Sequence, residues 1–219
     1  MKTLLGASLL VLSVAAFGAG SGMSSGGGGT VDTPSRSPEQ LAASSYNAGL
    51  KHKKRALSYE EKSATASKDK DRAKYDKRSR DQFEDAVADY KKAIGYDNRL
   101  YQAMNELGFA YRKLGHYEDA VRAYNTALFI KADFAPAIEY RAEAYLAVGM
   151  LEETKAAYLE LYRLDQAQAG LLMQAIDEWL ATNAANGGDA AKALAEWAAE
   201  RKALASVTQA ITEVPKRDW

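Results

Sequence analysis

Cysteine is absent from the 219 residues, and with it go disulfide staples, thiolate metal sites and thiol nucleophiles. Histidine is nearly absent: His116 sits beside Gly115, and His52 lies among Lys51, Lys53 and Lys54. Neither has a metal or triad partner nearby in the sequence. No zinc-binding His-Glu-x-x-His, nucleophile elbow or phosphate-cradling glycine loop occurs, so the chain reads as no enzyme and calls for no cofactor or metal. Glu139 and Glu143 stand one helical turn apart, but such pairs are usually solvated surface carboxylates. Net charge is also lacking, with 29 Lys plus Arg against 29 Asp plus Glu, which leaves no global field to attract nucleic acid or an anionic membrane.

Long apolar runs are missing too. The longest, Leu4 to Phe17, falls short of the ~20 residues that span a bilayer. It follows Lys2 and ends in Gly18, Ala19 and Gly20, the layout of a secretory signal peptide over residues 1–20. Export to a periplasm is the expected localisation, with secretion or a cell-surface location as alternatives and no stable membrane span. Residues 21–40, with Gly26 to Gly29 and Thr33 to Pro38, read as a flexible linker.

Proline is scarce and strand patterns are missing, whereas Ala, Leu, Glu, Lys and Arg predominate, a composition that favours helix. A shift of about 34 residues lays the middle of the chain onto itself. Tyr111 falls on Tyr145, Gly115 on Gly149 and Tyr124 on Tyr158. In the other direction Glu118-Asp119-Ala120-Val121, Tyr124 and Ala127 repeat Glu84-Asp85-Ala86-Val87, Tyr90 and Ala93. Leu100, Met104, Leu107, Tyr111 and Leu114 form one apolar helical face, Gly115 breaks that helix, and Tyr117, Val121, Tyr124 and Leu128 form a second. Each unit is a helical hairpin.

Leu107-Gly108, Tyr111, Ala120, Tyr124 and Ala127 together resemble the tetratricopeptide repeat (TPR), exported bacterial type. The next unit departs from that pattern at Arg141, Ala142 and Thr154. The resemblance implies an all-α, short right-handed α-solenoid whose usual role is to bind proteins or peptides. Residues 41–167 form the repeat domain, with a long first hairpin at 41–97 and repeats at 101–134 and 135–168. Capping helices at 169–206 and a tail at 207–219 complete the chain. Leu172, Ile176, Trp179 and Leu180 supply one capping stripe, and Leu194, Trp197 and Leu204 a second, with Asp189 as N-cap of the last helix.

Gly49 stands where Gly108 stands one unit later, yet the two are separated by nearly two periods rather than one. Sharing the excess adds roughly a dozen residues to each helix and extends the first hairpin into a stalk by about 18 Å. Residues 51–80 carry 12 Lys or Arg against 5 Asp or Glu, whereas residues 139–219 carry 13 acidic against 8 basic. That polarity allows head-to-tail self-association, and the basic stalk gives an alternative reading: a structural cell-surface protein docked on an anionic polymer or membrane.

In a stack of such hairpins the first helices line the concave side. The residues opposite their core stripes are Gln102, Asn105, Phe109 and Arg112, then Pro136, Glu139, Glu143 and Leu146. These are the candidate partner-binding residues, with Phe109 either an apolar anchor on a face otherwise polar or a residue of lateral packing between neighbouring repeats. The two glutamates favour a basic or apolar partner segment.

Overall fold

In a computed structural model, the structure describes residues 36–183 and 188–212. The proposed leader and most of the linker lie outside them. The described chain holds only helices: α1 (Pro38–Thr65), α2 (Asp69–Tyr96), α3 (Tyr101–Lys113), α4 (Tyr117–Ile130), α5 (Ala135–Ala147), α6 (Leu151–Leu164), α7 (Gln166–Asn183) and α8 (Gly188–Thr212). Each packs on its chain neighbour, and α3 on α5 and α5 on α7 as well, so hairpins stack in chain order into an α-solenoid.

Local chemistry sets several boundaries. Ser37 accepts from the Gln40 backbone N–H while the Gln40 side chain accepts from the Ser37 N–H, and Pro38 fills the first helical position. Helix α1 therefore starts at Pro38, inside the segment read as linker to residue 40. Gly115 and Gly149 have φ of 80° and 78°, the left-handed conformation that ends α3 and α5 at the offset expected from the repeat. Asp189 lies in the first turn of α8 and is not its N-cap; α8 itself runs to Thr212, into the segment read as tail.

The long first hairpin is present. Lys54 corresponds to Lys113, the last residue of α3, whereas α1 continues from Arg55 on to Thr65. Phe83 corresponds to Tyr117, the first residue of α4, whereas α2 already begins at Asp69. The whole excess over one period thus lies in two helix extensions, one on each side of a short turn. At that end Tyr59 and Tyr75 stack with centroids 6.3 Å apart, and Ser63 hydrogen-bonds Asp76.

Close approach within the first two hairpins depends on one device used twice. A Cβ on Gly49 would lie 2.5 Å from the Tyr90 ring, and a Cβ on Gly108 would lie 2.6 Å from the Tyr124 ring. Both tyrosines are fully buried. The third hairpin has Ala142 and Thr154 instead, and the Thr154 hydroxyl donates to the Ala142 and Met150 carbonyls. Tyr158 there meets Trp197 of α8 edge-on at 5.3 Å. Leu172, Ile176 and Leu194 are fully buried with Trp179, Leu180 and Trp197 packed around them, so α7 and α8 cover the last apolar face, whereas Leu204 of the predicted second stripe is exposed.

Candidate functional site

The predicted concave face, from Gln102 to Leu146, is where the structure departs most from the sequence reading. Phe109 is only 7% exposed. Its ring lies 6.2 Å from Phe83 of α2 and 5.4 Å from Tyr140 of α5, and the Lys53 ammonium of α1 sits 4.1 Å above its face. Lys53 simultaneously pairs with Glu106 at 2.6 Å. An aromatic with no evident reason for burial thus has neighbours from three other helices and from its own, where the Arg112 guanidinium lies 5.4 Å from the ring.

Arg112 forms an ion pair with Glu143 across the α3–α5 seam. Burial works against its positive charge, but Glu143 outweighs that and holds the guanidinium charged. Glu139 is 2% exposed, and burial, reinforced by Glu143, pushes its carboxyl up to about 10. It is therefore neutral at physiological pH, with Glu143 beside it. Glu139 is buried and Glu143 is half-buried against Arg112, which corrects the surface reading of the two carboxyls. It also removes the ground for preferring a basic guest: one carboxyl keeps its proton and the other is neutralised by Arg112.

Asn105 and Leu146 are buried, and Gln102 and Pro136 are half-buried. The face chosen for a partner is chiefly a seam between helices. Lys113 with Glu60 at 2.7 Å and Lys53 with Glu106 tie α3 to α1, as Arg112 with Glu143 ties α5 to α3. Each pair joins distant parts of the chain, a relation no local spacing reveals. His52 also gains partners that the sequence did not show: its Nδ1 is 3.1 Å from Gln82 Oε1, with Asp85 at 3.5 Å and Asp89 at 3.7 Å. His116 is exposed beside the Tyr111 ring.

The surface that does offer an apolar anchor lies on α4. Phe129 is 91% exposed. It borders an open hollow of about 620 Å3 with Asn98, Arg99, Met104, Thr126 and Ile130. Its signal was available, since Phe129 directly follows Leu128, the end of the apolar stripe. A second exposed feature, on α1, is an open hollow bordered by Lys51, Lys54, Arg55 and Ser58. Among the described residues, no three His, Cys, Asp or Glu side chains gather as a metal site would require.

No protein-family model and no curated protein matches the chain. Among solved structures it is similar to the first TPR domain of Spaghetti (RPAP3) bound to the HSP90 peptide SRMEEVD. That match has 22% identity over 57% of this chain and 95% of the other, with a TM-score of 0.39. It is also similar to the TPR2B domain of yeast Sti1 in complex with pHsp70, at 17% identity over 68% and 98% of the two chains, with a TM-score of 0.34. By its own geometry, stacked hairpins with Tyr90, Tyr124 and Tyr158 at equal spacing and two glycines under tyrosine rings, the chain has a tetratricopeptide-like fold.

Proposed function

We propose that this protein is an exported, non-catalytic scaffold that holds a protein or peptide partner, and that the partner seats an apolar side chain against Phe129. The observation that carries this reading is the almost complete exposure of a phenylalanine beside an open hollow. Exposing a large aromatic has no folding benefit, whereas covering one at the centre of a contact contributes strongly to association. Met104, Ile130 and Thr126 give the hollow apolar area, and Asn98 and Arg99 give it a polar rim, the usual layout of a protein contact patch.

A scaffold role also accords with the chemistry of the buried carboxyls. Glu139 holds its proton and Glu143 is engaged by Arg112, so neither is available as an exchangeable acid or base. No helix of the described residues is long and apolar enough to cross a membrane. Placement in the cell envelope rests on the leader-like residues 1–20, and fractionation of cells expressing the full chain tests it.

The binding reading is tested by affinity capture with Phe129→Ser in the full-length chain, followed by mass spectrometry. The expected result is loss of a specific partner with an unchanged helical circular dichroism spectrum. Undiminished capture would discard the Phe129 surface.

A further inference from the structure

We propose that the outward face of α1 binds an acidic helical segment of a protein partner. This rests on the scaffold reading and gives the scaffold a second contact surface. Lys51, Lys54, Arg55, Ser58 and Lys62 recur in three- and four-residue steps on the side of α1 opposite Gly49 and Ala56, which are buried against α2. The stripe is one helix wide and roughly 16 Å long, and its first four residues border an open hollow of about 320 Å3.

Several cations of the first hairpin are engaged within the fold. Lys53 pairs with Glu106, Arg72 with Asp69 and Lys77 with Asp81. Lys62 and Arg78 lie against the Tyr59 ring. Among the described residues, Lys51, Lys54 and Arg55 take part in no ion pair, and the exposed carboxylate at the edge of their stripe is Glu61. Like charges at helical spacing repel one another. Their concentration on one face therefore costs stability in the free protein and is relieved by an anion outside it.

The form of the stripe selects the anion. The exposed large hydrophobic of the hairpin is Tyr96, the last residue of α2, so the α1 stripe itself has no wedge for a bilayer. The stripe carries no aromatic side chain, and the two tyrosines near the turn are half-buried and stacked on each other, so it offers bases or sugars no stacking platform of its own. A partner helix bearing Asp or Glu every three or four residues has the same rise as α1 and meets the cations in register.

The test is fluorescence anisotropy of the full chain with a labelled synthetic helical peptide carrying glutamates at three- and four-residue spacing. Binding is expected, weakened about tenfold or more by Lys51→Glu/Lys54→Glu/Arg55→Glu, which corresponds to ~1.4 kcal/mol. The same number of reversals at Lys68, Lys70 and Lys74, exposed elsewhere on the hairpin, is expected to change affinity by no more than about twofold. Should the reversals on α1 disturb the helical spectrum, Lys51→Gln/Lys54→Gln/Arg55→Gln provides the same comparison. Equal losses from both sets, no binding at all, or tighter binding to phosphatidylglycerol vesicles or single-stranded DNA than to the peptide would overturn the proposal. Because the probe is synthetic, its failure leaves capture through Phe129 standing, and failure of that capture leaves the α1 stripe standing.

Discussion

The seam between α3 and α5 and the seam between α5 and α7 perform the same task with opposite chemistry. In the first, Phe109, Tyr140, Arg112, Glu143 and a protonated Glu139 meet under cover, with Tyr124 lodged against Gly108 behind them. In the second, Ile138, Leu146, Leu172, Met173 and Ile176 pack as aliphatic surface, and Ala142 replaces the glycine. Repeats at one period thus accept either solution. The polar one demands that every charge find its partner, while the apolar one demands only volume.

Removing one partner from the polar seam should have the largest effect. Arg112→Ala leaves Glu143 without its cation and Glu139 beside it, and is expected to cost about 3–5 kcal/mol. By contrast, Leu172→Met in the aliphatic seam conserves volume and is expected to cost under about 1.5 kcal/mol. Urea unfolding of the two variants checks the difference, and similar costs would erase the distinction between the seams.

Next comes the glycine device. Gly108→Ala drives a methyl into the Tyr124 ring and is expected to destabilise by about 1–3 kcal/mol even though alanine favours helix. Gly95, on α2 with open space around its Cα, is expected to gain up to about 1 kcal/mol as Gly95→Ala. Thermal unfolding of the pair separates close approach from helix propensity.

The buried carboxyl gives a smaller effect with a definite sign. Glu139 binds its proton in the folded chain up to about pH 10, but releases it near its ordinary 4.5 when unfolded. Its contribution is therefore fully present below pH 4.5 and declines as pH rises toward 10. Its neighbours Arg112, Tyr124 and Tyr140 keep their charge states between about pH 6 and 9, since Arg112 is paired with Glu143 and burial raises both phenols. Glu139→Gln is expected to flatten stability over that window and to raise it by about 1–2 kcal/mol at about pH 7. An unchanged pH slope would show that Glu139 is ionised in the fold.

The repeat was legible because it is written locally. Tyr90, Tyr124, Gly115 and Gly149 mark the hairpins at fixed offsets, and Gly49 fixed the register that revealed the long first pair. The surroundings of the concave face were not legible for a physical reason. Periodicity tells which residues share a helix face, but not what that face meets, and Lys53, Phe83 and Tyr140 approach Phe109 from distant parts of the chain. The same limit concealed the pairing of Arg112 with Glu143, which turned two apparent surface acids into a neutral contact. Phe129 illustrates the converse, an apolar residue beside a core stripe that the fold leaves outside.

The exchange of roles between Phe109 and Phe129 is measured most directly by equilibrium urea unfolding of Phe109→Ala and Phe129→Ala under identical conditions. Phe109→Ala is expected to lower stability by about 3–5 kcal/mol, and Phe129→Ala to leave it within about 0.5 kcal/mol. Equal losses, or a greater loss at Phe129, would contradict the assignment of one ring to the seam and the other to the surface.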